Sequence, residues 1–134
     1  MKADIKYVSS TDRGTCLNKN GLTIQTCEHV LAALVGLEID NVIIELNESE
    51  PPIMDGSAKF FVDALEKAGV KYLDSKRKEF IVKKVISFKD EDTGSEIMVL
   101  PAKNYKVTTM VDFGTKILGT QNATIDSISE FENS

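Results

Sequence analysis

The sequence predicts an α+β protein in two parts. Three observations carry this. Two segments, near 27–37 and 57–68, repeat apolar residues at helical spacing. Beyond residue 80 the chain turns to β-leaning runs joined by short polar turns. A charged stretch, DSKRKE at 74–79, divides the two patterns. The expected organisation is an α-bearing part over residues 1–74, then a mainly β-strand part over residues 75–134.

The elements follow in chain order. DIKYV at 4–8 and LTI at 22–24 are short and β-leaning, with a polar turn NKNG at 18–21. The segment 27–37 reads as a helix: Leu31, Leu34 and Val35 recur at helical spacing, and Ala32 and Ala33 are strong helix formers. NVIIELN at 41–47 is a nearly continuous apolar run, the pattern of a buried strand. ESEPPIMDG at 48–56 is a loop, because paired prolines and Asp-Gly break regular structure. A second helix runs from Ser57 to about Ala68, with Phe61, Leu65 and Ala68 on one face and Gly69 at its C-terminal cap. FIVKKVISF (80–88), SEIMVL (95–100) and YKVTTMVDF (105–113) read as strands. The tail QNATIDSISEFENS is expected to hold one more edge strand and then fray.

Composition removes several function classes. Hydrophobic residues make up 42% of the 134 and charged residues 28%, a globular balance. The net charge of −5 comes with no basic stripe to neutralise phosphates, so nucleic acid is not an expected partner. No run of about 18 apolar residues is present, so no transmembrane segment is expected. The first ten residues, MKADIKYVSS, lack the apolar region of a signal peptide, and a cytoplasmic location is the expectation. Cys16 and Cys27 match no metal-ligand spacing and no secreted disulfide framework, and read as free thiols in a reducing compartment.

Two stretches hold candidate chemistry. The first is TCEHVLAAL at 26–34, where Glu28 precedes the single histidine, His29. Both fall in the first turn of the expected helix, where the helix dipole favours an ionised carboxylate. Neutral imidazole is a metal ligand, and a neighbouring carboxylate can take a proton from a metal-activated water. From these residues alone an ordinary helix start is the stronger reading, with Glu28 complementing the dipole and His29 hydrogen-bonded. A catalytic zinc ion takes about three protein ligands, and no further ligand stands at a matching spacing. Cys27, beside the pair, is read as core filling, although a helix N-terminus lowers a thiol pKa. The second stretch is PIMDGSA at 52–58, where Asp55-Gly56 turns the chain and Asp55 or Ser57 caps the helix. The rival reading of Asp55, a carboxylate near an active cleft, is the weaker one.

These residues together resemble a known family. RGTCLNKNGLTIQTCEHVLAALVGLEIDNVIIELNESEPPIMDGSAKFFVDALEKAG, residues 13–69, is similar to the N-terminal domain of the UDP-3-O-acyl-N-acetylglucosamine deacetylases, zinc enzymes of lipid A biosynthesis. TCEHV, and PIMDGSA after GLEIDNVIIEL, carry the resemblance by their order and spacing. It continues more weakly through 78–113, into the opening strands of the family's second domain. The resemblance implies two sheet-plus-helices domains whose helix layers pack together, with the active site at their junction. It places Glu28 on the general base and His29 on one zinc ligand, and leaves Asp55, Gly56 and Ser57 structural. The implied substrate is a UDP-sugar lipid precursor and the implied cofactor is Zn2+.

The departures shape the expectation as much. The family's N-terminal strands before the region of Lys2–Val8 have no counterpart in this sequence. The family's later His-x-x-x-Asp segment, with the other zinc ligands, has none either, nor have its later Thr, Lys and His groups. Cys27 stands where the family more often has valine, and Cys16 lies in a stretch that often reads Arg-Gly-Thr-Thr. The chain is therefore expected to be a piece of a deacetylase, inactive and without stoichiometric zinc by itself. Its open sheet edges invite self-association. Forms of the family fused to a 3-hydroxyacyl-carrier-protein dehydratase are equally compatible parents. The alternative is a non-catalytic binding or assembly module derived from the first domain.

Overall fold

The computed structural model describes residues 1–133. The chain divides into two compact units, Met1–Leu73 and Asp74–Ser134.

The first unit opens with a 3-10 turn, Ile5–Tyr7, where the DIKYV pattern predicts a strand. Asp4 caps it by accepting the Lys6 N–H at 3.2 Å, a local bond that competes with strand pairing. Three short strands follow, β1 (Val8–Ser10), β2 (Cys16–Lys19) and β3 (Leu22–Ile24), in one antiparallel sheet of order β1-β2-β3. Asn20-Gly21 joins β2 to β3 with φ of 52° and 83°. Positive φ at both positions is the type I′ turn that suits strand twist, and Asn-Gly is its preferred sequence. The β1–β2 register slips between Val8 and Ser10, and the loop 11–15 leads into β2.

Helix α1 spans Glu28–Gly36 and helix α2 spans Lys59–Ala68, close to the spans predicted from periodicity. α1 ends with Glu38 at φ 55°. The Ile39 N–H donates to the Leu34 carbonyl at 2.8 Å and the Glu38 N–H to the Val35 carbonyl at 3.0 Å. These are the two bonds of a Schellman motif, made with glutamate where glycine is usual. α2 ends at Gly69, φ 80°, as expected. α1 and α2 pack against each other. The buried apolar residues of the described chain are Leu17, Cys27, Val30, Ala33, Leu34 and Val62, all in this unit.

One expected strand is absent. Residues 41–47 run without ladder partners, and Ile43 is 89% exposed. A strand exists only through backbone pairing, and this segment joins no ladder with a described strand, although residues 44–46 line one groove together with Leu22–Ile24 of β3. The segment is tied down just beyond, where the Gln25 N–H donates to the Ser49 carbonyl at 2.8 Å.

The second unit holds two separate hairpins. β4 (Ile86–Lys89) pairs with β5 (Glu96–Val99), and β6 (Val107–Asp112) with β7 (Thr120–Ile125). The predicted strand at 80–88 forms only over its last three residues and extends to Lys89. Asp90 closes the first turn by accepting the Asp92 and Thr93 N–H groups at 2.9 and 3.3 Å. The expected edge strand in the tail is β7. A 3-10 helix, Ile128–Asn133, follows it where fraying is predicted. The part of that prediction that falls on Ser134 lies outside the described residues. The described residues thus form an α+β structure, two α-helices with small antiparallel sheets. No helix among the described residues is long and apolar enough to cross a membrane.

Candidate functional site

The loop before β2 and the first turn of α1 build the site. Thr26 sits at φ 49°, a rare conformation for a β-branched residue. Its hydroxyl donates to Glu50 Oε1 at 2.5 Å. The next residue, Cys27, is already helical at φ −84°, ψ −8°, and its carbonyl accepts the Leu31 N–H at 3.1 Å. Glu28 and His29 therefore leave the first turn together.

Thr15 straps the loop to this turn. Its carbonyl accepts both the Cys27 N–H and the Cys27 thiol, each at 3.3 Å. Its own N–H donates to Glu28 Oε2 at 2.8 Å. The other carboxylate oxygen, Oε1, lies 3.8 Å from His29 Nε2. The Glu28 side chain is 34% exposed and that of His29 25%, so both reach solvent from a supported position. Partial burial pushes the Glu28 carboxyl up. The Thr15 N–H, the residue's own backbone N–H and the neighbouring His29 together outweigh that and hold it below its ordinary value. Glu28 is thus an ionised acceptor at neutral pH, with Oε2 fixed.

Cys27 behaves differently from what a helix end alone suggests. Burial pushes its thiol up, outweighing its own backbone N–H, while Glu28 and Cys16 add to the rise. It is buried and Cys16 half-buried, and both are free. Cys27 is a core residue in this structure, as read from sequence.

PIMDGSA forms a turn and a helix start. The Gly56 N–H donates to the Ile53 carbonyl at 2.9 Å, with Met54 at φ 51° and Gly56 at φ 80°. Asp55 Oδ1 accepts the Ser57 hydroxyl at 2.8 Å and the Ser57 N–H at 3.0 Å. Ser57 Oγ then accepts the Lys59 N–H at 3.2 Å. These bonds lower the Asp55 carboxyl pKa, the hydroxyl contributing most. Every polar contact described for Asp55 and Ser57 serves the turn.

A groove of about 730 Å³ also opens in this unit. Leu17, Ile24, Cys27, Val30, Leu31 and Leu46 supply its apolar lining. Glu28 and His29 do not line it.

The donors near the pair fit one imidazole ligand with a carboxylate beside it. They do not make a complete zinc shell: among the described residues, no group of three or more His, Cys, Asp or Glu side chains could hold a metal ion. The Glu28–His29 pair was visible in the sequence. Thr15 was not, because it acts through a backbone N–H, which no residue type announces.

Comparison with known proteins places this arrangement in context. The family profile described as LpxC, UDP-3-O-acyl N-acetylglycosamine deacetylase, matches residues 1–134. A protein of Bacteroides thetaiotaomicron named bifunctional enzyme LpxC/FabZ is 40% identical over 126 residues, covering 94% of this chain and 27% of that protein. A UDP-3-O-acyl-N-acetylglucosamine deacetylase of Geotalea uraniireducens is 38% identical over 125 residues, 93% of this chain and 40% of the relative. One from Coxiella burnetii is 35% identical over 128 residues, 94% of this chain and 42% of the relative. The chain spans less than half the length of each of these relatives.

Proposed function

The chain belongs to the family of UDP-3-O-acyl N-acetylglycosamine deacetylases, and from that premise we propose that it supplies the base and one metal ligand of such an enzyme. In this reading the whole protein is a cytoplasmic hydrolase of lipid A biosynthesis. It removes the N-acetyl group from UDP-3-O-acyl-N-acetylglucosamine. Residues 1–74 belong to its first domain and residues 75–134 begin its second. Asp55, Gly56 and Ser57 are structural.

The observation that carries the reading is the fixed Glu28 carboxylate beside His29, one oxygen held by Thr15 N–H at 2.8 Å and the other 3.8 Å from the imidazole. His29 would be one ligand to a zinc ion; about two more would come from chain outside these residues. Bound zinc supplies Lewis acidity and lowers the pKa of a water. The protein's own part begins with Glu28. Its Oε2 is occupied by Thr15, so Oε1 is the oxygen that accepts the proton of the attacking water. Water oxygen bonds to the acetamide carbon and the carbon–nitrogen bond breaks. Acetate forms, and the 2-amino group leaves with a proton delivered by an acid elsewhere in the enzyme.

The test is Glu28→Gln in the complete deacetylase. A general base contributes about 10²–10⁴-fold, so turnover is expected to fall by that factor while the Thr15 N–H keeps an oxygen acceptor. Turnover within about threefold of the parent, well short of that range, would remove Glu28 from the base role.

A further inference from the structure

The Glu28 carboxylate is held from two sides by consecutive residues of the loop before β2. Thr15 supplies the N–H to Oε2 at 2.8 Å. Gly14 supplies space. A Cβ placed on Gly14 would stand 3.2 Å from Glu28 Oε1, 3.4 Å from Thr26 Oγ1 and 3.7 Å from Thr26 Cα. The first two distances are at or below the tight edge of carbon contacts, so the carboxylate would have to give by a few tenths of an ångström. Gly21, Gly56 and Gly69 contrast with this, since a Cβ on any of them meets nothing within 4 Å. Gly14 is thus a glycine of close approach, and what approaches it is the carboxylate.

We infer that Gly14 and Thr15 are positioning residues: together they set where Glu28 Oε1 stands relative to His29. This rests on Glu28 being the base. The loop can do this because it is anchored. The Thr15 carbonyl accepts the Cys27 N–H and thiol at 3.3 Å each, so the residue bracing Glu28 is itself locked to the residue before it. Thr26 fills the other side of Gly14, its hydroxyl on Glu50. A carboxylate with one oxygen bonded and the other backed by a glycine has little freedom to swing. A base held in this way is ready to take its proton without reorganisation.

Two measurements test the inference separately from the catalytic reading. In the 134-residue chain, exchange of the Thr15 amide is followed by NMR. Glu28→Ala should accelerate it about 5- to 10-fold, as expected for losing one hydrogen bond of ordinary strength. Gly14→Ala should do the same in part, and Gly21→Ala should not. Unchanged Thr15 exchange in Glu28→Ala would overturn the clamp, whether or not Gly14→Ala folds. In the complete deacetylase, Gly14→Ala should lower kcat about 10-fold with KM nearly constant, a smaller loss than the about 10²-fold of a full 1 Å misplacement. Gly14 has φ 158° and Gly21 φ 83°, so Gly21→Ala also replaces a positive-φ glycine, and it should keep kcat. If Gly14→Ala kept kcat while Glu28→Gln lost it, positioning would be overturned and the base assignment would stand. If Glu28→Gln kept its turnover, the base assignment itself would fall.

Discussion

Asp55 and Glu28 are both carboxylates held below their ordinary pKa, yet they sit in different kinds of place. The bonds to Asp55 all come from its own turn, through Ser57. Those to Glu28 reach across thirteen residues to Thr15. A short local loop needs no cross-chain brace, so the sequence alone marked Asp55-Gly56-Ser57 as a turn. The brace on Glu28 was illegible, because glycine and a backbone N–H carry no side-chain signature. Asp55 gives a pH prediction with a definite sign. Its folded pKa is depressed, so its contribution is complete above the ordinary aspartate value of about 3.9 and is lost as pH falls through the folded value. Protection of the Ser57 amide, corrected for intrinsic exchange, is expected to be level above about pH 5, where an ordinary aspartate is already ionised, and to decline toward pH 3. Asp55→Asn should show no such decline. Level protection of the parent down to pH 3 would mean that the carboxylate does not hold the turn. Ser57→Ala should cost about 0.5–1.5 kcal/mol, read from the denaturation midpoint, through loss of the Ser57 Oγ bond to the Lys59 N–H; the N-cap of α2 is Ala58, which makes no side-chain cap bond.

Helices and tight turns were legible in this chain, and strands were legible only where a partner lies nearby in sequence. α1, α2, the Gly69 cap and the Asn20-Gly21 turn follow from periodicity and residue type, which are local properties. β3 was read, but β2, with its mixed CLNK sequence, was not, although the two pair across a two-residue turn. The run 41–47 has strong strand character but joins no ladder among the described strands, and its apolar residues stand exposed. The same physics explains why only the end of 80–88 is paired. The helices, in contrast, hold most of the buried surface. Leu34 is 6% exposed on α1 and Val62 5% on α2. Leu34→Ala is expected to destabilise by about 2–5 kcal/mol through lost burial and a residual cavity. A unit of 73 residues has a total stability of only about 4–11 kcal/mol. The variant should therefore shift the urea midpoint strongly or unfold the first unit outright. Val35→Ala is the control: Val35 is on the same helix but 57% exposed, and should change stability by less than about 0.5 kcal/mol. Similar losses from both would mean that α1 does not bury Leu34 as described.

At the scale of the whole molecule, core and site lie in the first unit, while the second presents apolar surface that nothing in it covers. The β4–β5 register puts Ile86, Phe88, Ile97 and Val99 on one face of the hairpin, and each of the four is exposed. Val107 and Val111 lie on one face of the β6–β7 hairpin, and both are exposed as well. A two-stranded hairpin is marginally stable alone, and its outer strands offer free N–H and C=O groups to another chain. The reading of the chain as part of a larger enzyme therefore yields two predictions for the 134 residues by themselves. Zinc titrated at micromolar concentration should not bind one-to-one, because a single histidine cannot supply the about three ligands of a catalytic site; a tight stoichiometric endpoint would overturn this. Self-association should be observable by light scattering, as an average mass that rises above the 14.8 kDa of one chain with increasing concentration. The exposed apolar faces make the mechanism testable. Phe88→Lys with Ile97→Lys puts two charges on the β4–β5 face, directly opposite each other in the register, and should return the mass toward that of a single chain. If the parent chain kept the mass of one copy at all concentrations, the hairpin faces would not be docking surfaces for a second copy. If the parent associated and the double lysine variant did so equally, association would run through other surfaces, such as the groove beside Leu17 and Leu46.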